Sequence, residues 1–542
     1  MDVVRAAARR LSRTACIDTK VTKYSDLLSE SARVAATLVH SLQNGDGVSK
    51  STVGIMAPPG QHYVEATWGT WLSGGIAVPM CLTHPASELQ YVLENSEAKS
   101  VLTTKQYASQ MESLASKADI EMHLLENIEA SGSTEQASQT LMQLAEAAAH
   151  SKEAQVQQSL DEQLVKLRHT ENDGSLIVYT SGTTGRPKGA LHTHKSLRTQ
   201  IQGLCEVWAW QQSDRILHAL PLHHVHGIIN ALYCAHYSGA CVEFMPKFSP
   251  DAVWDRLKRQ EEAVTVYMGV PTMYSYLLAK YDQASEQDQQ QARAAAKRLR
   301  LTVSGSAACP LPVMSKWEKL SGEKLLERYG MTETGMVVSN PLTGDRRPGT
   351  VGVPLPGITV KVAPLPEETD QDKQISAEFI DGPGELLVKG DNLFKEYWRR
   401  PEATAEAFDQ DGWFKTGDTA ATQGDPPYWK ILGRSSVDII KSGGYKISAL
   451  ETENALLTHP AVKECAVVGV EDEVQGQIVA AVVACHANAE EVSLIGLQKY
   501  AADHLPPYQI PKILQLTDQI PRNAMGKINK KALIKDMFSR QG

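Results

Sequence analysis

The sequence contains no run approaching the roughly 20 uninterrupted apolar residues that a membrane span requires, so no transmembrane segment is expected. Its eight cysteines, at 16, 81, 205, 234, 241, 309, 465 and 485, include no Cys-x-x-Cys pair. That spacing fits buried thiols in a reducing compartment better than disulfides or structural zinc. A basic stripe is also missing. Lys and Arg total 54 against 63 Asp and Glu, giving a net charge of -9, and they are dispersed, so no nucleic-acid partner is expected. Without a G-x-S-x-G elbow, serine-hydrolase chemistry fails at its first step.

At 542 residues the chain is too long for one ordinary hydrophobic core, and two or more domains are expected. Residues 1–12 carry Arg5, Arg9 and Arg10 on an Ala-rich amphipathic pattern with one acid, Asp2, similar to a mitochondrial presequence. Folded-looking sequence starts almost at once, with 17–22 reading as a strand and 24–42 as a helix. A cytoplasmic protein is therefore expected, with mitochondria the alternative. From 24 to about 103, helical periodicity alternates with apolar runs at 53–56 and 76–80, the rhythm of an α/β layered fold. Short apolar strands at 176–179, 216–220, 264–268 and 301–303 are each followed by loop residues that should gather at one sheet edge. Segments 126–165 and 281–299, rich in Ala, Gln, Glu and Ser, read as exposed helices or variable insertions. Residues 350–433 predict β structure in a small barrel, punctuated by Pro354, Pro356, Gly357, Gly382, Pro383 and Gly384. After Gly433-Arg434 a compact pattern restarts, helical at 450–457 with strands at 465–470 and 478–485. The expected class is α/β: a large N-terminal domain, 1–433, of two layered lobes plus the small barrel, and a small α+β C-terminal domain, 434–542.

The strongest chemical signal is Tyr179-Thr180-Ser181-Gly182-Thr183-Thr184-Gly185-Arg186-Pro187-Lys188-Gly189, directly after an apolar strand. Such a loop offers backbone N–H groups, several hydroxyls and one ammonium to a polyphosphate. It is not the P-loop G-x-x-x-x-G-K-[ST], because Pro187 stands in place of the second Gly and Gly189 in place of Ser or Thr. The loop resembles the signature of the adenylate-forming superfamily of acyl-CoA synthetases, luciferases and peptide-synthetase adenylation domains.

Four further blocks stand in that superfamily's order and cover nearly the whole chain. In Tyr329-Gly330-Met331-Thr332-Glu333 the resemblance implies that Tyr329 stacks on adenine, Thr332 meets the α-phosphate and Glu333 binds Mg²⁺, a cation suited to a carboxylate plus phosphate oxygens. Ser304-Gly305-Ser306-Ala307-Ala308 resembles the adenine-contacting turn, with Ser306 and Ala307 against the base. Asp418 of Thr416-Gly417-Asp418 and Arg434 resemble the ribose contacts. Lys527, in Pro521-Arg522-Asn523-Ala524-Met525-Gly526-Lys527, is similar to the terminal catalytic lysine, which holds carboxylate and α-phosphate together. The resemblance implies ATP, Mg²⁺ and coenzyme A as ligands, an acyl-adenylate intermediate, and a mobile C-terminal domain turning between the two steps. Its pivot is expected among Ser436, Val437 and Asp438, with Lys441, Gly443 and Gly444 on the thioester side.

Pro221-Leu222-His223-His224-Val225-His226-Gly227 follows a strand, and by resemblance His224 gates the acyl pocket while His226 offers a donor to a second carboxylate. A metal site is the competing reading of these histidines, with no Cys or carboxylate nearby to complete it. Ser339-Asn340-Pro341-Leu342-Thr343-Gly344-Asp345-Arg346-Arg347-Pro348-Gly349 brings guanidinium groups that a fatty-acid tunnel would not need. This arrangement resembles malonyl-CoA synthetases, and implies Arg346 as the clamp of a distal carboxylate, Arg347 second, and Ser339 as a hydroxyl contact. The expectation is an AMP-forming malonate–CoA ligase, a monomer or weak homodimer. A medium-chain or aryl acyl-CoA synthetase, or a free-standing adenylation enzyme loading a carrier protein, remains the alternative.

Overall fold

The computed structural model describes residues 1–42, 50–128, 136–180, 186–364, 383–443, 445–487, 489, 492–522 and 528–538. Two large sheets dominate the N-terminal part. One has seven strands in the order Glu396–Tyr397, Gly189–Thr193, Gly174–Tyr179, Ile76–Pro79, Thr52–Met56, Ser100–Thr103, Glu121–Leu124. Ile76–Pro79, Thr52–Met56 and Ser100–Thr103 pair in parallel and are buried along their length, as strands covered on both faces must be.

The other sheet has nine strands, in the order Val353–Pro354, Gly335–Ser339, Leu326–Met331, Leu301–Ser304, Val266–Gly269, Arg215–His218, Cys241–Phe244, Thr14–Ile17, Val21–Lys23. The five from Leu326–Met331 to Cys241–Phe244 are parallel neighbours, so their carboxyl ends leave one edge together. Three of the four expected apolar strands lie here. The fourth, Gly174–Tyr179, belongs to the seven-stranded sheet. The expected strand at 17–22 is instead a tight antiparallel pair, because Asp18 accepts from the backbone N–H of Thr19 and Lys20 and turns the chain.

The helix Tyr24–Leu42 has its expected bounds and buries Leu27, Leu28, Ala35, Leu38 and Val39 at helical spacing. The Ala- and Gln-rich segments differ from expectation. Gln136–Ala149, Glu153–Lys166 and Glu286–Arg298 each bury an apolar face, with Leu141, Leu144, Val156, Leu160, Ala292 and Ala296 in the main core. Residues Asp2–Ala8 form a helix with Val3, Val4, Ala6, Ala7 and Ala8 buried, so this stretch belongs to the fold. Among the described residues, no helix is long and apolar enough to cross a membrane, and all eight cysteines are free.

The expected small barrel is represented among the described residues by a four-stranded antiparallel sheet of Ile358–Ala363, Gly384–Gly390, Phe414–Gln423 and Tyr428–Arg434. A smaller C-terminal α+β unit follows. Val462–Asp472 and Gly476–Cys485 form its hairpin; the other edge of Gly476–Cys485 pairs with Ile439–Ser442 at one end and in parallel with Ile513–Leu516 further along, and Tyr445–Ser448 adds to Ile439–Ser442. Alternation divides its sides: Cys465 and Val467 enter one apolar cluster, Ala466 and Val468 the other.

Candidate functional site

The glycine- and hydroxyl-rich loop joins two antiparallel strands, Gly174–Tyr179 and Gly189–Thr193. At its neck Thr180 N–H donates to the Lys188 carbonyl at 2.8 Å, and Lys188 N–H returns a bond to the Thr180 hydroxyl at 3.3 Å. Ser181, Gly182, Thr183 and Thr184 lie outside the described residues. The Lys188 ammonium sits 4.7 Å from the centre of the Tyr397 ring.

Antiparallel pairing explains why two distant blocks meet. Asp418 and Arg434 are register partners on Phe414–Gln423 and Tyr428–Arg434, and their side chains form an ion pair at 2.9 Å. The Tyr329 hydroxyl, carried on Leu326–Met331, donates to the other Asp418 oxygen at 2.5 Å. Burial raises the Asp418 carboxyl above its usual range, while Arg434 and the Tyr329 bond act in the opposite direction. Tyr329, Asp418 and Arg434 thus form one polar group.

Thr332 and Glu333 follow at the carboxyl end of the same strand. His192 donates from Nε2 to the Thr332 carbonyl at 2.7 Å, and burial depresses the imidazole to about 4, so it stands neutral. Glu333 is held at both ends: Phe394 N–H donates to its carbonyl at 2.7 Å, and the Tyr397 hydroxyl donates to its carboxylate at 2.7 Å.

The turn after Leu301–Ser304 carries Ser306 with φ of +70°, and Ser306 and Ala307 are exposed. Its Oγ lies 3.4 Å from Nδ1 of His226, whose Nε2 is buried without a partner. His226 begins a π-helical segment, His226–Tyr233, of a kind often found at functional sites. Gly227 is required there, because a Cβ would stand 2.2 Å from the Pro221 carbonyl oxygen. The His223 and His224 rings lie 4.1 Å apart beside it. No group of three or more His, Cys, Asp or Glu suited to a metal exists among the described residues, which disfavours the metal reading of this segment.

Sequence reasoning missed the residue behind this turn. Arg328 is 4% exposed, and its Nε and one terminal nitrogen have no hydrogen-bond partner. Burial pushes its guanidinium down to about 9. It packs so closely on Gly305 that a Cβ there would lie 2.5 Å from the guanidinium carbon. Its charge also helps to lower the His226 imidazole, after burial itself. Two charged letters, Glu327-Arg328, inside a short apolar strand were the available signal.

Glu327 points the other way and joins two loops, accepting from Cys309 N–H at 3.1 Å and Gly349 N–H at 3.4 Å. Burial raises its carboxyl to about 7. Arg346, the expected clamp, donates instead to the carbonyls of Lys324, Pro341 and Leu342, which fastens its own loop. Arg347 pairs with Asp345 and stacks on Tyr428, 4.0 Å from the ring centre. The buried Ser339 hydroxyl accepts from Trp208 and donates to the Asn340 carbonyl. Ser339 is the register partner of Arg328 on the neighbouring antiparallel strand, but among the described residues no side-chain hydrogen bond joins Arg346, Arg347 or Ser339 to His226, Ser306 or Arg328.

In the C-terminal unit, Gly443 occupies the turn between Ile439–Ser442 and Tyr445–Ser448 with φ of +56°, and Lys441 is exposed beside it. Gly444 and Lys527 lie outside the described residues. Asp438 ties the unit to the four-stranded sheet: one oxygen accepts from Arg434 N–H at 2.9 Å, the other from the Lys530 ammonium at 2.6 Å. Lys530 also pairs with partly buried Glu453 at 2.7 Å.

Comparison with known proteins agrees with this geometry. The chain is 40% identical to a malonate–CoA ligase of Arabidopsis thaliana, over 97% of this chain and 86% of that protein. It is 42% identical to the mitochondrial malonate–CoA ligase of Homo sapiens, over 94% and 88%. ATP-bound MatB from Rhodopseudomonas palustris superposes with a TM-score of 0.80 at 28% identity, covering 99% of both chains. The sequence profile of the AMP-binding enzymes matches residues 3–398, and that of their C-terminal domain matches 451–527. A glycine- and hydroxyl-rich loop, a polar group of Tyr, Asp and Arg and a smaller C-terminal unit thus occur together in a chain that belongs to the AMP-binding enzyme family.

Proposed function

We propose that the chain is an AMP-forming malonate–CoA ligase, which converts malonate to malonyl-AMP with release of pyrophosphate and then passes the acyl group to coenzyme A. A carboxylate is a poor acyl donor because its leaving group would be oxide; joining it to AMP makes a mixed anhydride with a good one. The observation that carries the choice of acid is Arg328, a buried cation with unpartnered donors beside His226 and Ser306. An uncharged acyl tail would leave that cation without compensation, whereas a distal carboxylate satisfies it. In this reading Arg328 takes the clamping role first expected of Arg346, and His226 adds a second donor. Arg346, Arg347 and Ser339 maintain the neighbouring loop.

Thr180, Ser181, Gly182, Thr183, Thr184 and Lys188 receive the polyphosphate. Tyr329, Ser306 and Ala307 receive the adenine, Asp418 and Arg434 the ribose, and Thr332 the α-phosphate. Glu333 offers an oxygen donor beside the phosphate path, a fit for Mg²⁺, which when bound would neutralise phosphate charge. His224 gates the acyl pocket. Lys527 holds carboxylate and α-phosphate at attack distance, and Lys441, Gly443 and Gly444 line the thiol's approach once the unit beginning near residue 434 has turned. We place the enzyme in the cytoplasm, with mitochondria second because several relatives carry that word in their names. The test is an acid panel with ATP, Mg²⁺ and coenzyme A, scoring AMP release and thioester. Malonate should lead; preference for octanoate or benzoate over malonate would reject the assignment.

A further inference from the structure

One aromatic side chain holds both charged groups of the proposed phosphate site. Tyr397 lies on the two-residue strand Glu396–Tyr397, paired with the strand that leaves the phosphate loop, with Tyr397 opposite Ala190. Its hydroxyl donates to the Glu333 carboxylate at 2.7 Å, and its ring carries the Lys188 ammonium 4.7 Å from its centre. The mounting is stiff. Phe394 meets the ring edge-on at 4.7 Å, Phe408 and Phe414 back Phe394, and Phe394 N–H holds the Glu333 carbonyl.

We propose that Tyr397 is a positioning residue for the phosphate and metal end of the site, keeping Lys188 and Glu333 apart and both available. This rests on the reading that the chain binds ATP with Mg²⁺. An ammonium and a carboxylate this close to one ring could neutralise each other in a direct ion pair, yet among the described residues they form none. A direct pair would have to be broken before either group met a ligand. Tyr397 gives each a weaker partner: an aromatic face for the cation and one neutral hydroxyl for the carboxylate. The second Glu333 oxygen receives no bond from the ring and is the one left for a metal.

The two halves of this role separate by mutation. Tyr397→Phe keeps the ring under Lys188 and deletes only the hydroxyl; Tyr397→Leu removes both. Calorimetric ATP binding to the full chain, with and without Mg²⁺, reads each half independently of turnover. For Tyr397→Phe, metal-free ATP affinity should stay within about twofold of wild type, while the tightening produced by Mg²⁺ falls by about threefold to tenfold. Tyr397→Leu should also weaken metal-free binding. Phe394→Leu, which disturbs the aromatic cluster without touching either charge, controls for general loosening. Tyr397→Phe with wild-type Mg²⁺ dependence, or a loss equal to that of Phe394→Leu, overturns the proposal. Wild-type protein that binds no ATP would instead overturn the reading beneath it.

Discussion

Replacing Arg328 separates stability from specificity. Burial pushes its guanidinium from its usual strongly basic range down to about 9, which corresponds to about 5 kcal/mol of unfavourable desolvation in the unliganded protein. Arg328→Met keeps comparable bulk and removes the charge, so the free protein should gain about 1–4 kcal/mol, as when buried ions give way to apolar side chains. Malonate should suffer. Two unpartnered guanidinium nitrogens, at about 1.5–3 kcal/mol for each charged hydrogen bond, predict a fall in kcat/KM of about 10²–10⁴-fold. Propionate, which lacks the second carboxylate, should be used no worse than by wild type. Gly305→Ala offers an independent route, since its Cβ would come within 2.5 Å of the guanidinium carbon and displace it while keeping the charge. The assays are urea unfolding and thioester formation with paired acids. A variant that loses stability and loses both acids in equal proportion would refute the reasoning.

Glu327 makes stability depend on pH. Its folded carboxyl lies at about 7, above the unfolded value near 4.5, so the folded state binds more protons between these limits. Stability should therefore fall as pH rises from about 4.5 to about 7, by up to about 3 kcal/mol, and Glu327→Gln should flatten that slope in thermal melts taken across the range. A wild-type slope unchanged in the variant would count against Glu327. Lys530→Met would leave partly buried Asp438 and Glu453 without their shared cation, at a cost of about 3 kcal/mol, the lower end for a broken buried pair, in denaturant titration; a loss below about 1 kcal/mol would show that the cluster is well hydrated.

Much of the fold was readable because its periodicities are strong. The helix Tyr24–Leu42 and the parallel strands of the nine-stranded sheet announce themselves through apolar spacing. The residues proposed for the nucleotide were named from motifs, and antiparallel register brings two of them, Asp418 and Arg434, opposite each other across the intervening turn. The acid side was harder. Arg346 and Arg328 are the same letter, and what distinguishes them is invisible in one dimension: carbonyl oxygens of Lys324, Pro341 and Leu342 converge on the first, while nothing reaches two nitrogens of the second. The Ala- and Gln-rich helices misled for a related reason. Alanine contributes little apolar signal, yet Ala292, Ala295 and Ala296 are buried in the core.

The wide winding of His226–Tyr233 has an evolutionary corollary. Each residue of an ordinary α-helix advances the chain by about 100° about its axis, so deleting one residue within 227–233 would swing His226 away from Ser306 without altering any side chain at the turn. A lineage wanting a different acid has a short path open to it, through the length of this segment before the identity of the pocket's walls.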